Sequence, residues 1–204
     1  MKTAFIGPGV LYSFLSHCNK SRLNKVVLDC GAGGSHPPLA MFHERDYRTY
    51  GIDISRKQME RARRFCRRNK MELNIQYADM RHLPFRDESM SFVYSYAAIC
   101  HMTKKDAGIA MDEIKRVLKK NGLCFISFCA ADDRVKNTAD RRGPGEYTKE
   151  NEGKTIIHSL YGQEEPDRFF QGCRLINKVW RRIENFGKVK GHAWAEIDYI
   201  ARKL

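Results

Sequence analysis

A chain of 204 residues, 42% of them hydrophobic, has room for one domain with a sizeable core, and it holds no apolar run near the ~20 residues that would span a bilayer. Seven cysteines, an odd number without a Cys-x-x-Cys pair, argue against a disulfide framework or a zinc site. The net charge of +13 raises the question of a polyanionic partner, which the placement of the basic residues has to decide.

The first residues carry one lysine and a short apolar patch broken by Gly7-Pro8-Gly9, a poor signal peptide, so a reducing cytoplasm is expected. Leu11, Phe14 and Leu15 then recur at helical spacing in PGVLYSFLSHCN. KVVLDC (25–30) is a continuous apolar run of the kind found in a strand buried on both faces. The glycine-rich stretch GAGGS follows, and Pro37 and Pro38 fit the first turn of a helix running to about Arg45. TYGIDI (49–54) reads as a second strand.

Residues 56–70, RKQMERARRFCRRNK, carry eight basic residues and one glutamate, with Met59, Ala62 and Cys66 on one side. This is an amphipathic helix whose basic face reads as a solvated surface in preference to a nucleic-acid or membrane footprint, because no stacking platform or nucleic-acid module accompanies it. LNIQYAD (73–79) and SFVYSY (91–96) are the third and fourth strands. Thr103 starts a long helix, with Asp106 placed as in a capping box, and Ala110, Met111, Ile114, Val117 and Leu118 form its buried stripe. Lysines in its last turn and Gly122 beyond are expected to end it. LCFISF (123–128) is a fifth strand, and Cys30, Cys124 and Cys129 read as small buried hydrophobes.

Five strands with helical crossovers specify an α/β doubly wound parallel sheet with helices on both faces. The end differs. Residues 131–155 are polar and read as an exposed excursion, IIHSLY (156–161) as a short strand, and QEEPDRFFQG as a short helix. LINKVWRRIE (175–184) and AWAEIDYIARKL (193–204) leave no space for a helix between them, so the sheet should close on an antiparallel hairpin. Without repeats or linkers, residues 1–204 read as one domain, with a capping helix within 1–20 and a lid-like insertion at 131–163.

Ligands of such sheets bind beyond the carboxyl ends of the strands, where the first glycine-rich turn lies. Gly31 and Gly33 mark where a side chain would block the turn or the ligand. Asp53, twenty residues after Gly33 at the end of the second strand, can accept both hydroxyl hydrogens of a ribose. Loop and acid together point to an adenosine-type ligand.

The order LDCGAGGS, GIDIS, ADMRHLPFRDESMSFVYSYAAICHM and EIKRVLKKNGLCFISF resembles the class I S-adenosylmethionine (SAM)-dependent methyltransferases, in particular the small ubiquinone-biosynthesis-like and tellurite-resistance-like enzymes. That resemblance implies a Rossmann-like seven-stranded sheet of order 3-2-1-4-5-7-6 with an antiparallel last strand, and SAM as cofactor with S-adenosylhomocysteine as product. It implies that Asp29, Gly31, Ala32 and Gly33 surround the amino acid part of SAM, that Asp53 binds the ribose with Ile54 beside the adenine, and that Asp79 accepts from the adenine amino group. Met80 then supplies a backbone N–H and an apolar face, while Ser95, Tyr96 and Ala97 line the methyl-transfer face. Two positions depart from the family pattern: Ser35 replaces the third glycine and could donate to the SAM carboxylate, and Ser91 replaces an acid often found at the start of the fourth strand. A nicotinamide dehydrogenase shares the loop and Asp53 but explains neither Asp79 in its setting nor the terminal hairpin.

Tyr12, Tyr94 and Tyr96 are candidates for a cation–π contact with the sulfonium, and alternation puts Tyr94 and Tyr96 on one side of their strand. His101 is the best candidate for a general base, with His158 a weaker one; His101 and Tyr96 are the expected catalytic residues. No metal is expected. The bare domain suggests a small-molecule acceptor and a monomer or homodimer. A nucleic-acid or protein methyltransferase using helix 56–70, and a non-catalytic SAM-binding protein, are the alternatives.

Overall fold

Alternating apolar strands and amphipathic helices wind into one sheet in the computed structural model, which describes residues 8–131, 140–151, 154–183 and 194–204. Parts of the predicted segments at 1–7, 132–139, 152–153 and 184–193 lie outside the described residues. In chain order the elements are α1 (Gly9–Asn19), β1 (Val26–Cys30), α2 (Leu39–His43), β2 (Arg48–Asp53), α3 (Arg56–Asn69), β3 (Ile75–Tyr77) and β4 (Met90–Ser95). A 3₁₀ turn at Ile99–His101 leads to α4 (Lys104–Val117), β5 (Leu118–Ala130), β6 (Asp140–Gly143), β7 (Glu146–Asn151) and β8 (Lys154–Tyr161). A second 3₁₀ stretch, Glu165–Phe170, precedes β9 (Cys173–Ile183) and β10 (Trp194–Lys203). Among the described residues no helix is long and apolar enough to cross a membrane.

The central order is β3-β2-β1-β4-β5-β10-β9, parallel from β3 to β5, with β10 antiparallel to both β5 and β9. This is the seven-stranded sheet with a reversed last strand that the sequence implied. Three strands are added to it. β6, β7 and β8 form an antiparallel meander, and β8 joins β5 through the pairs Cys129–Leu160 and Ala130–Tyr161.

Each face of the sheet buries its own cluster, because successive strand residues point to opposite sides. On one face, α1 and α2 pack Leu11, Phe14, Leu15, Met41 and Phe42 onto Val27, Phe92, Tyr94, Phe125 and Ile200. Phe14 sits at its centre, with ring centroids 5.9–6.3 Å from Phe125, Phe42 and Tyr94. On the other, α4 packs Ala107, Ala110, Met111, Ile114 and Val117 onto Leu28, Val93, Cys124 and Ile126.

Several boundaries differ from the sequence reading for identifiable reasons. The helix from Thr103 stops at Val117, before Lys119 and Gly122. Leu118 turns extended, its side chain buried where a Cβ on Gly122 would strike it at 2.8 Å, and the carbonyls of Arg116 and Leu118 accept from Glu88 N and Lys203 Nζ. Tertiary partners thus cap this helix in place of the expected lysines. Its start follows expectation, with Thr103 Oγ1 accepting from Asp106 N at 3.0 Å. The buried stripe of α3 is Met59, Ala62 and Phe65, with Cys66 half-buried. The third strand shrinks to Ile75–Tyr77, and within the polar excursion residues 140–151 pair as β6 and β7.

Candidate active site

The first loop is pinned to the end of β2. The amides of Gly31 and Ala32 both donate to the Ile52 carbonyl at 2.9 Å, and Gly33 N donates to Asp53 Oδ2 at 2.9 Å. Gly34 N donates to the Gln58 carbonyl at 2.9 Å, fixing the loop to the first turn of α3. Ser55 caps that turn, accepting from Gln58 N, and its own amide donates to Asp53 Oδ1 at 2.7 Å.

The two glycines singled out by sequence are explained by protein atoms. Gly31 lies at φ +114°, and a Cβ there would overlap Ala98 Cβ; a Cβ on Gly33 would overlap Asp53 Oδ2 and stand 2.5 Å from Gln58 Cβ. Gly34, at φ +105°, instead faces open space. The loop is therefore bare so that Asp53 can reach over it, and its outer side leaves main chain accessible.

Asp53 is held by one N–H on each oxygen, which leaves each oxygen a further acceptor position. Burial raises its carboxyl above the usual range, against the lowering effect of the Ser55 and Gly33 amides. Beside it Ile54 exposes 56% of its surface, an apolar face unusual next to a carboxylate. Two free acceptor positions flanked by an apolar side chain fit a ribose diol followed by an adenine. Ser35 is exposed, its hydroxyl 3.1 Å from His36 Nδ1.

Asp29 points from β1 into the α1–α2 cluster at 2% exposure, and its Oδ2 has no hydrogen-bond partner. Burial pushes its carboxyl up to about 8; the Tyr94 hydroxyl opposes the rise and the charge of Asp53 adds to it. Asp29 is thus largely protonated at neutral pH, buried beneath the loop. Tyr94 and Tyr96 do share one face, as alternation predicted. Ser95 lies on the opposite side, with its hydroxyl donating to the Cys30 carbonyl at 3.0 Å, so it ties β4 to β1. Ala97 is exposed at φ +52°, turning the chain so that Ala98 abuts Gly31.

Asp79 is already engaged. Arg81 grips it in a fork, with Nη2 2.6 Å and Nε 3.0 Å from Oδ2 and with Nε and the Arg81 amide on Oδ1 at 3.1 and 2.9 Å. That contact holds the Asp79 carboxyl below its usual range, and Arg81 also pairs with Asp106 at 3.3 Å. Three N–H groups of Arg81, one of them shared between the two oxygens, occupy Asp79, so an adenine amino group has to compete with Arg81 for it. Met80 beside it is half-buried against the α4-side cluster. Tyr12 stands in the α1–α2 cluster with the Arg45 guanidinium 5.6 Å above its ring.

His101 and His158, noted separately in the sequence, meet. Their rings stand edge to face, centroids 4.7 Å apart with planes at 88°. Partial burial draws the His101 pKa below its ordinary value, against a hydrogen bond with the Ile157 backbone, so the ring is neutral at neutral pH. The meander that carries His158 is fastened beside it: Ser159 Oγ donates to the Met102 carbonyl at 2.7 Å, and Lys104 N donates to Glu146 Oε1 at 2.7 Å. Sequence reasoning missed Arg81 and the buried acids Glu196 and Asp198. For the acids a signal existed, two carboxylates at alternate positions of an otherwise apolar strand.

The fold, and the pairing of a glycine loop with an acid at the end of the second strand, are similar to those of the class I SAM-dependent methyltransferases. Residues 28–126 match the family described as "Methyltransferase domain". The chain is 32% identical over 116 residues to the methyltransferase GfsG of Streptomyces halstedii and 32% identical over 98 residues to the 27-O-demethylrifamycin SV methyltransferase of Amycolatopsis mediterranei. These stretches take up 56% and 47% of this chain, and the chain spans only 40% and 35% of those relatives. In fold it is similar to a SAM-dependent methyltransferase from Methanosarcina mazei, with TM-score 0.74 at 18% identity over 97% of this chain and 98% of that one. SAM is the cofactor of this class, and the Asp53–Ile54 cradle fits it.

Proposed function

We propose that this chain transfers a methyl group from SAM to a small-molecule acceptor and releases S-adenosylhomocysteine. The observation that carries the reading is Asp53, immobilised over the glycine-rich loop with one acceptor position left on each oxygen. The demethylrifamycin methyltransferase among the relatives acts, by its name, on a small molecule, which supports the acceptor class.

In this reading Asp53 binds the two ribose hydroxyls, Ile54 and Met80 flank the adenine, and Asp79 receives its amino group once Arg81 yields. Gly31, Ala32 and Gly33, with Asp29 beneath them, shape the seat of the amino acid tail. SAM supplies a methyl on a sulfonium, a group already activated for displacement. The protein then has to hold an acceptor in line and keep water out. Tyr96 and Ala97, at the end of β4, border that space. His101, neutral and paired with His158, takes the proton from an oxygen or nitrogen acceptor. The β6–β8 meander walls the acceptor side, and the free thiols suit a reducing cytoplasm.

Calorimetry with S-adenosylhomocysteine tests the reading. Asp53→Ala should weaken binding by at least about a hundredfold, since each hydrogen bond to a carboxylate contributes roughly 1.5–3 kcal/mol. Unchanged affinity removes Asp53 from the ribose and the proposal with it.

A further inference from the structure

The last strand carries a buried acidic pair that the roles proposed above leave unused. Glu196 and Asp198 alternate along β10 and therefore share the α1 face with Ile200; they are 5% and 6% exposed. Three of their four carboxylate oxygens are engaged. Glu196 Oε1 accepts from Trp194 Nε1 at 3.0 Å, while Glu196 Oε2 and Asp198 Oδ2 both accept from the Arg181 guanidinium of β9. Asp198 Oδ1 is buried with no partner. Directly opposite Asp198 in the β5–β10 register lies Ser127, 2% exposed, whose hydroxyl is also unpartnered.

Asp198 lines a cavity of about 120 Å³ under α1, whose other walls are Val10, Ser13, Phe125, Asn177, Val179 and Ile200. Two carboxylates against one guanidinium leave this corner with one net negative charge. The cavity adjoins the end of β4: Ser95 of β4 is paired with Ile126, one residue before Ser127, and Tyr96 follows at the level of Asp198. Tyr96 stands near enough for the charges of both Arg181 and Asp198 to act on its phenol.

We propose that this cavity is the acceptor subsite and that it selects a cationic nitrogen, an ammonium or amidinium on an apolar body, through Asp198 and Ser127. The proposal rests on the methyltransferase reading for its role but not for its chemistry. Val10, Phe125 and Ile200 take the body of such a molecule, and its N–H groups are drawn to Asp198, whose Oδ1 no protein group satisfies, with the equally unpartnered Ser127 hydroxyl behind it in the β5–β10 register. Arg181 holds Glu196 Oε2 and Asp198 Oδ2 in place and neutralises one of the two acids, so that a single charge remains to be matched. The transferred methyl goes to whichever nucleophilic atom this anchoring brings to Tyr96; the anchored nitrogen, while protonated, has no lone pair to accept it.

Titration calorimetry of the full chain at neutral pH, saturated with S-adenosylhomocysteine, compares benzylamine, benzyl alcohol and benzoate. Benzylamine should bind roughly tenfold or more tighter than benzoate, with the alcohol between them. Asp198→Asn should erase the preference for the amine while leaving the affinity for S-adenosylhomocysteine unchanged. Ser127→Ala, a smaller perturbation that guards against misfolding of the first variant, should weaken benzylamine alone. Equal binding of amine and acid, no benzylamine binding at millimolar concentration, or a preference that survives Asp198→Asn overturns the subsite. Failure of S-adenosylhomocysteine to bind the native chain instead overturns the methyltransferase reading, and the benzylamine-to-benzoate ratio measured without it still decides the subsite.

Discussion

Replacing Gly33 by alanine puts the link between loop and acid to its most direct test. The new Cβ would overlap Asp53 Oδ2 and stand 2.5 Å from Gln58 Cβ and 2.9 Å from Asp53 Cγ. Neither neighbour yields freely, because Asp53 is tied to Ser55 N and Gln58 lies in the capped first turn of α3. Overpacking of this kind costs about 1–3 kcal/mol, which for a chain of this size is a Tm lower by roughly 2–12 °C. The larger effect falls on binding. If the carboxylate is pushed off its position both ribose contacts go, about 3–6 kcal/mol, or on the order of a 10²–10⁴-fold weaker Kd for S-adenosylhomocysteine. Gly34→Ala is the control: nothing lies within 4 Å of its Cβ, but φ is +105°, so stability falls by about 1–3 kcal/mol with little change in affinity. Calorimetry and thermal unfolding on both variants separate the effects. A Gly33→Ala protein that binds within threefold of the native chain refutes the geometry.

Further outcomes follow from the charged groups. Arg81→Ala should tighten S-adenosylhomocysteine binding severalfold, because it frees the acceptor positions of Asp79; calorimetry that shows weaker binding means Arg81 belongs to the bound state. Asp29, with its carboxyl raised to about 8 by burial, binds a proton in the folded chain that it releases near 4 when unfolded. Its stabilising effect is complete below pH ~4 and is lost as pH rises toward 8, so Asp29→Asn should flatten that decline in a pH series of unfolding curves; parallel curves for the two proteins would contradict the shift. His101, lowered by burial, behaves in the opposite sense: folding loses stability as pH falls below the unfolded value of ~6.5, down to the folded pKa. His101→Gln should remove that acid-side loss and depress kcat without raising Kd for S-adenosylhomocysteine. Unchanged turnover would leave His101 as a structural neighbour of His158 only.

What the chain disclosed in advance was whatever depends on short-range pattern. The apolar runs at 25–30 and 91–96, the prolines before α2 and the Thr103 cap all act within a few residues, and the structure follows them. The reversed hairpin was legible from loop length alone. The departures come from partners remote in sequence. Where α4 ends is decided by Glu88 and Lys203, 29 residues before and 86 residues after Val117, and no helix signal in the sequence could report them. In the candidate site, the Asp53 spacing was readable because the loop and the second strand are fixed relative to each other by the fold. The Arg81 fork on Asp79 was not, since an acid two residues from an arginine has many geometries. The meeting of His101 and His158 needed the pairing of β8 with β5, which two residues in an excursion rich in charge do not announce.

The meander's attachment has a consequence for how chains with this frame can diverge. β8 is paired to β5 at two positions and is further held by Ser159, Glu146 and their partners near the start of α4, whereas the loop and Asp53, proposed to seat the ribose, come from β1, β2 and the first turn of α3. The two parts share no hydrogen bond among those that define either. A hairpin of different length or composition could therefore be spliced in at Ala130 and Gly162 while the nucleoside half stays intact, and a change of chemistry at the far side of the molecule need not be preceded by any loss of grip on the donor.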